Sequence, residues 1–223
     1  MRLILLLVAA AGQAGCSPGG GGAQREGDAE EQSARDEAGP AATITIAEAP
    51  AGGCAMEWDG RPVSEQELTE RGIAVMDAGI ERIGGIERIT ETNLPYLRVE
   101  ASPDMAWSCV RPALAALART GFARVELRPD GARGSPQIAF FQIEGSEPHP
   151  LVRRVEIGAD GAVSWDGEAV DADLLRQRAD AVVAGMPEDI AVSAAADAPF
   201  SAVHETIGAI RRGGAELTLI TQG

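Results

Sequence analysis

Apolar residues recur along this chain at helical steps, and they do so twice in the same order. Leu68, Gly72 and Val75 mark one buried helix face, and Leu175, Ala179 and Val182 repeat it. Trp58-Asp59-Gly60-Arg61-Pro62-Val63 precedes the first set, and Trp165-Asp166-Gly167-Glu168-Ala169-Val170 precedes the second. Ser64 with Glu67 forms a capping box for the first helix, and Asp171 can cap its counterpart. Further on, Asp104, Trp107, Ser108 and Val110 correspond to Asp197, Phe200, Ser201 and Val203. Leu114 and Leu117 then correspond to Ile207 and Ile210. Gly121 and Gly214 follow as helix stops, and strands are expected over 122–127 and 215–220. Agreement in order and in period across two helices and a strand indicates an internal duplication.

Alternating segments supply the remaining strands. Residues 43–47 and 152–157 open the two copies, and Asp160-Gly161 is a hairpin signal in the second. Residues 96–100 and 190–194 are strands between the helices. The expected fold class is α+β: two tandem small domains, each a mixed β-sheet with two helices on one face, in a ββαβαβ-like order. The open face of each sheet should need cover, which predicts that the two copies form one pseudo-symmetric body. The first copy is longer by about fourteen residues around Ile80–Ile89, where Ile-Glu-Arg-Ile occurs twice, so a longer helix or a loop is expected there. Pro112, opposite Glu205 of the second copy, sets the expected start of its helix near Arg111. The stretch from Ile138 to Ile143 in the connector reads as an extra strand.

The first residues change the picture. Met1-Arg2 leads an apolar run from Leu3 to Ala11 that is too short to span a bilayer and fits a secretory signal. Gln13-Ala14-Gly15-Cys16 resembles the lipobox of bacterial lipoproteins, although Gln13 stands where an aliphatic residue is usual. That resemblance implies acylation of Cys16, and Ser17 after it implies sorting to the outer membrane. Residues 18–40 are polar, Gly-rich and without apolar period, as in a flexible tether. The expected organisation is a signal peptide over 1–15, a lipid-anchored tether over 16–41, a first repeat over 42–131, a connector over 132–149 and a second repeat over 150–223. Two further cysteines, Cys54 and Cys109, form an even pair in an exported chain and point to one disulfide within the first copy. Two buried free thiols are the alternative.

The net charge of −15 argues against nucleic acid or an anionic membrane surface as partner. Every basic side chain other than histidine is Arg. No catalytic, metal or cofactor constellation stands out. His149 lies between two prolines, and His204 has no second His at the zinc-protease spacing. The Gly19–Gly22 run lacks the strand and the Lys of a phosphate loop, and there is no Gly-x-Ser-x-Gly elbow. Trp58, Trp165, Trp107 and Phe200 occupy repeat-equivalent positions and read as core.

The second copy carries a resemblance. Val155-Glu156-Ile157, Asp160-Gly161, Trp165 to Val170 and Leu174-Leu175 are similar to the opening of the periplasmic domain of the ExbD/TolR biopolymer transport family. Asp197-Ala198-Pro199-Phe200-Ser201-Ala202-Val203 is similar, allowing for a shorter spacing between Asp and Pro, to that family's Asp-x-x-x-Pro-Tyr/Phe-x-x-Val signature, and residues 214–222 to its closing strand. The likeness covers about 70 residues, and the first copy shares it through the second. It implies a non-catalytic periplasmic module that dimerises and binds an envelope protein or peptidoglycan. The family's transmembrane helix with its essential Asp has no counterpart here, so proton-coupled motor activity is not implied. The expectations are a periplasmic protein, lipid-anchored to the outer membrane, without cofactor, and a monomer with pseudo-symmetric repeats or a homodimer. The alternatives are an accessory subunit of a transport complex and a lipid-anchored hydrolase with an unrecognised site.

Overall fold

The Trp-Asp-Gly turns organise both halves of the molecule. In the computed structural model, Asp59 and Gly60 adopt φ of 47° and 74°, and Asp166 and Gly167 adopt 51° and 84°. Two consecutive left-handed residues make the turn whose twist matches paired strands, which is why Asp-Gly stands there. The Asp59 carboxylate accepts the Thr43 N–H at 2.9 Å, and Asp166 accepts the Arg154 N–H at 3.0 Å. The same two backbones also meet directly, Asp59 N–H on Thr43 O and Asp166 N–H on Arg154 O. Each turn is thus tied to the opening strand of its own repeat by the same pair of bonds.

The structure describes residues 39–50, 52–90, 93, 95–120, 125–132, 137–139, 153–184, 190–212 and 217–219. The first repeat runs β1 (Ala42–Glu48), β2 (Cys54–Trp58), β3 (Arg61–Val63), α1 (Glu65–Ile83), a single 3-10 turn (Ile86–Arg88), β4 (Leu97–Ala101), α2 (Trp107–Ala118), β5 (Val125–Pro129) and β6 (Gln137–Ala139). The second runs β7 (Arg153–Ile157), β8 (Val163–Trp165), β9 (Glu168–Val170), α3 (Ala172–Ala184), β10 (Ile190–Ala194), α4 (Phe200–Arg212) and β11 (Leu217–Leu219). The sheets are ordered β3-β2-β1-β4-β5-β6 and β9-β8-β7-β10-β11. In each, the strands joined through the last helix are parallel and the opening hairpin is antiparallel. The fold is α+β, two small mixed sheets in tandem with two helices each. A short third strand after each Trp-Asp-Gly turn extends the expected order. Both repeats fall within one compact unit from Pro40 onward.

Strand alternation builds the core. Ile44 and Ile46, Leu97 and Val99, Val125 and Leu127 are buried on one face of the first sheet, and Val155, Ile157, Ile190 and Val192 on the second. Leu68, Val110, Leu114 and Leu117 meet them from the helices of the first repeat, and Leu175, Ala179, Val203, Ile207 and Ile210 from those of the second. All four paired aromatic positions, Trp58, Trp165, Trp107 and Phe200, are buried. The capping box of Ser64 and Glu67 is formed, and the Asp171 carboxylate accepts the Leu174 N–H at 2.8 Å. The extra length of the first copy extends α1 to Ile83, ends it on Gly84 at φ 91°, and continues into the 3-10 turn. A Cβ at Gly72 would stand 2.9 Å from the Thr120 methyl, so a glycine lets the chain after α2 approach α1.

One expectation is corrected. Helix α2 begins at Trp107, and Pro112 lies inside it rather than near its start. The faces of the two sheets away from their own helices are covered unequally. Arg154 and Glu156 of β7 are exposed, and the matching positions of β1 and β4 are Thr43, Thr45, Arg98 and Glu100. Those four are partly covered, and Glu126 of β5 on the same face is buried.

Candidate functional site: the joint between the repeats

Sequence ahead of α2 and α4 is short of side-chain caps. Ala106 precedes α2 and offers no side-chain hydrogen bond to its first turn. The first N–H groups of a helix have no partner within it and must find one elsewhere. Here they find it in the other repeat. Trp107 N–H donates to Ala198 O at 2.8 Å, and Ser108 N–H to Ala196 O at 2.8 Å. In return Phe200 N–H donates to Met105 O at 2.9 Å, and Ser201 N–H to Pro103 O at 2.9 Å. Ala106 and Pro199 stand opposite each other as an antiparallel bridge.

This exchange is reciprocal. Under the correspondence of Trp107 with Phe200, every bond from one repeat maps onto a bond from the other. Such self-complementarity is the mark of a two-fold contact, here between two halves of one chain. It also explains why α2 starts earlier than Pro112 suggests: the carbonyls of Ala198 and Ala196 cap it. Trp107 and Phe200 are 1% and 0% exposed, so the joint is sealed by one large ring from each side. Helices α2 and α4 touch, and α4 also packs against β5 and β6 of the first repeat. Five consecutive residues, Thr206 to Ile210, are buried along α4.

Cys54 and Cys109 are joined in a disulfide with a Cα–Cα distance of 5.4 Å. It links the first residue of β2 to the third of α2, within the first repeat. Cys16, the residue expected to carry a lipid, lies outside the described residues, as do His149, Gly121, Gly214 and the connector beyond Ala139. His204 sits half-buried on α4. Burial lowers its pKa, with Arg212 acting in the same direction and Glu205 against.

One charged pair escaped the sequence reading. Arg98 on β4 and Glu126 on β5 are cross-strand neighbours, with Nε to Oε2 at 2.9 Å. The Glu126 side chain is fully buried, and its Oε1 has no hydrogen-bond partner. Burial raises its pKa, against the pull of Arg98 and Arg128. Alternating Arg and Glu in adjacent strands reads as a solvated face, so only the three-dimensional register could find it. The second repeat carries Ala191 and Thr218 at this register, so the fold itself does not require the charges.

Among the described residues, no group of three or more His, Cys, Asp or Glu could hold a metal ion. No helix among them is long and apolar enough to cross a membrane. No protein-family model matches the chain, and no curated protein matches it.

Proposed function

We propose that this chain is a non-catalytic interaction module of the bacterial envelope, anchored by a lipid on Cys16, whose two ExbD/TolR-like repeats do together what a homodimer of such domains does. Its partner is an envelope protein or the glycan strand of peptidoglycan. The observation that carries the reading is the reciprocal exchange of backbone bonds at Trp107–Ser108 and Phe200–Ser201. That exchange falls in the segment whose residues, Asp197 to Val203, carry the resemblance to the family. A chain holding both halves of a two-fold joint has no need of a second copy to complete it.

The test is capture from membranes under mild crosslinking, using the full chain. Recovery of a defined envelope protein, or co-sedimentation with isolated peptidoglycan, is the expected result. Co-purification with proton-driven stator proteins would move the reading to an accessory subunit of a transport complex. Hydrolysis of a glycan, peptide or ester that is lost on changing one carboxylate would overturn it. Cys16→Ser should release the protein from membranes into the soluble fraction, and unchanged fractionation would remove the lipid anchor from the proposal.

A further inference from the structure

The disulfide stands next to the joint without crossing it. Cys109 immediately follows Ser108, and Trp107 and Ser108 are the two donors that α2 sends to the second repeat. This first turn is weak by its own sequence. It has no side-chain cap, and Pro112 removes the N–H that would bond to the carbonyl of Ser108. By contrast α1 has its capping box and α3 has Asp171. Cys54, the other end of the bridge, is exposed at the start of β2.

The second repeat closes the same place without a bond. Ala202 of α4 corresponds to Cys109. A Cβ at Gly161, in the β7–β8 loop, would meet the Ala202 Cβ at 3.3 Å. There the hairpin loop itself rests on the helix. In the first repeat the longer hairpin carries Cys54 to α2, and a breakable covalent bond holds that contact.

We propose that the Cys54–Cys109 disulfide is a redox latch on the joint between the repeats: oxidised, it holds the first turn of α2 where Trp107 and Ser108 reach the second repeat, and its reduction frees that turn. The reductant is a dithiol. One of its thiolates attacks the sulfur of Cys54, the exposed residue of the pair, the S–S bond breaks, and Cys109 leaves as a thiolate that takes up a proton. The second thiol of the reductant then attacks the mixed disulfide and releases the Cys54 thiol. The reductant departs as its own disulfide, having supplied two electrons.

Hydrogen exchange on the full chain tests this, oxidised against reduced with dithiothreitol and without denaturant. Reduction should raise exchange about tenfold at Trp107 and Ser108 and at Phe200 and Ser201, because the joint opens as a local unit. The core amides of β7 and β10 should keep their protection, and reoxidation should restore the joint. A rise confined to the hairpin over 48–54 would overturn the latch. So would loss of protection throughout both sheets, since the bridge would then be a general stabiliser. A bridge that dithiothreitol cannot reduce in the folded chain would also overturn it. The pair Cys54→Ser with Cys109→Ala places at 109 the residue type found at 202, and should reproduce the reduced exchange pattern with no reductant present.

Discussion

The hairpin of the first repeat holds five residue pairs, from Ile44–Trp58 to Glu48–Cys54, and that of the second holds three, from Val155–Trp165 to Ile157–Val163. Their loops close alike. Ala49 N–H donates to Gly53 O, as Gly158 N–H does to Ala162 O, and Gly52 N–H donates to Ala49 O, as Gly161 N–H does to Gly158 O. The difference is therefore an insertion of two pairs into the ladder, with both ends conserved in geometry. It carries the first hairpin out to meet α2 with a cysteine, where the second meets α4 with a glycine. One turn, one loop and one joint are retained, while the contact between hairpin and helix is made by two kinds of chemistry.

The joint offers the hardest way to break the likeness. Truncating a buried aromatic ring removes its transfer energy and leaves a cavity. Trp107→Ala and Phe200→Ala should each cost about 4 kcal/mol in urea unfolding. Because the two rings are equivalent across the pseudo-two-fold, the costs should match. A loss confined to one of them would mean that the repeats do not share the joint equally. Phe200→Leu, which keeps an apolar side chain, should give the same direction with a smaller loss if the alanine variants do not fold.

Much of this arrangement could be read from the residues. Trp-Asp-Gly forces a left-handed pair, and the turns fall where that motif stands. Leu68, Val75, Leu175 and Val182 declare their helices by spacing, and Ser64 with Glu67 declares an N-terminus. What escaped has a common physical origin. The exchange at the joint is made by backbone N–H and carbonyl groups, which no side-chain pattern reports. The start of α2 was obscured because its cap comes from Ala196 and Ala198 in the other repeat. Glu126 was hidden because polar alternation looks the same on a solvated face and on a covered one.

The buried ion pair sharpens the comparison next. Glu126→Ala leaves the Arg98 guanidinium, which is 19% exposed, with the Glu100 carboxylate at 3.8 Å in place of Glu126 at 2.9 Å, and should cost about 2 kcal/mol. The double change Arg98→Ala with Glu126→Thr installs the residues of the second repeat. It should cost less than Glu126→Ala alone, because the half-covered Arg98 charge leaves together with its buried partner. Linkage supplies a second readout. The folded chain holds the Glu126 proton more readily than the unfolded chain, since burial raises its pKa. This contribution to stability is full below the ordinary carboxylate value and is lost as pH rises through the raised one. Urea titrations across that range should show the decline in the parent and not in Glu126→Gln.

The two loops separate strain from crowding. Gly52 and Gly161 have φ of 86° and 78°, so alanine is strained at both. At Gly52 a Cβ meets nothing within 4 Å, whereas at Gly161 it meets Ala202. Gly52→Ala should therefore cost about 1 kcal/mol from backbone strain alone. Gly161→Ala should cost about 2 kcal/mol, the excess coming from the helix it pushes against. Gly161→Ala combined with Ala202→Gly should return to the Gly52→Ala value in thermal unfolding. Equal costs for the two single variants would show that the second hairpin does not bear on α4.

The smallest effect lies one turn further along the central helices, where Arg111 of the first repeat corresponds to His204 of the second. His204 is half-buried, and its pKa falls below the ordinary 6.5 because burial disfavours the cation, with Arg212 adding to that and Glu205 opposing it. The unfolded chain then binds this proton more readily than the folded one. Stability is full above the ordinary value and falls as pH drops through it toward the lowered folded value. The loss is best read in a Glu126→Gln background, where the opposite carboxylate slope is absent. In that background, His204→Gln should flatten the curve between neutral and mildly acidic pH. A slope that survives His204→Gln would assign the titration to another group and remove this difference between the repeats.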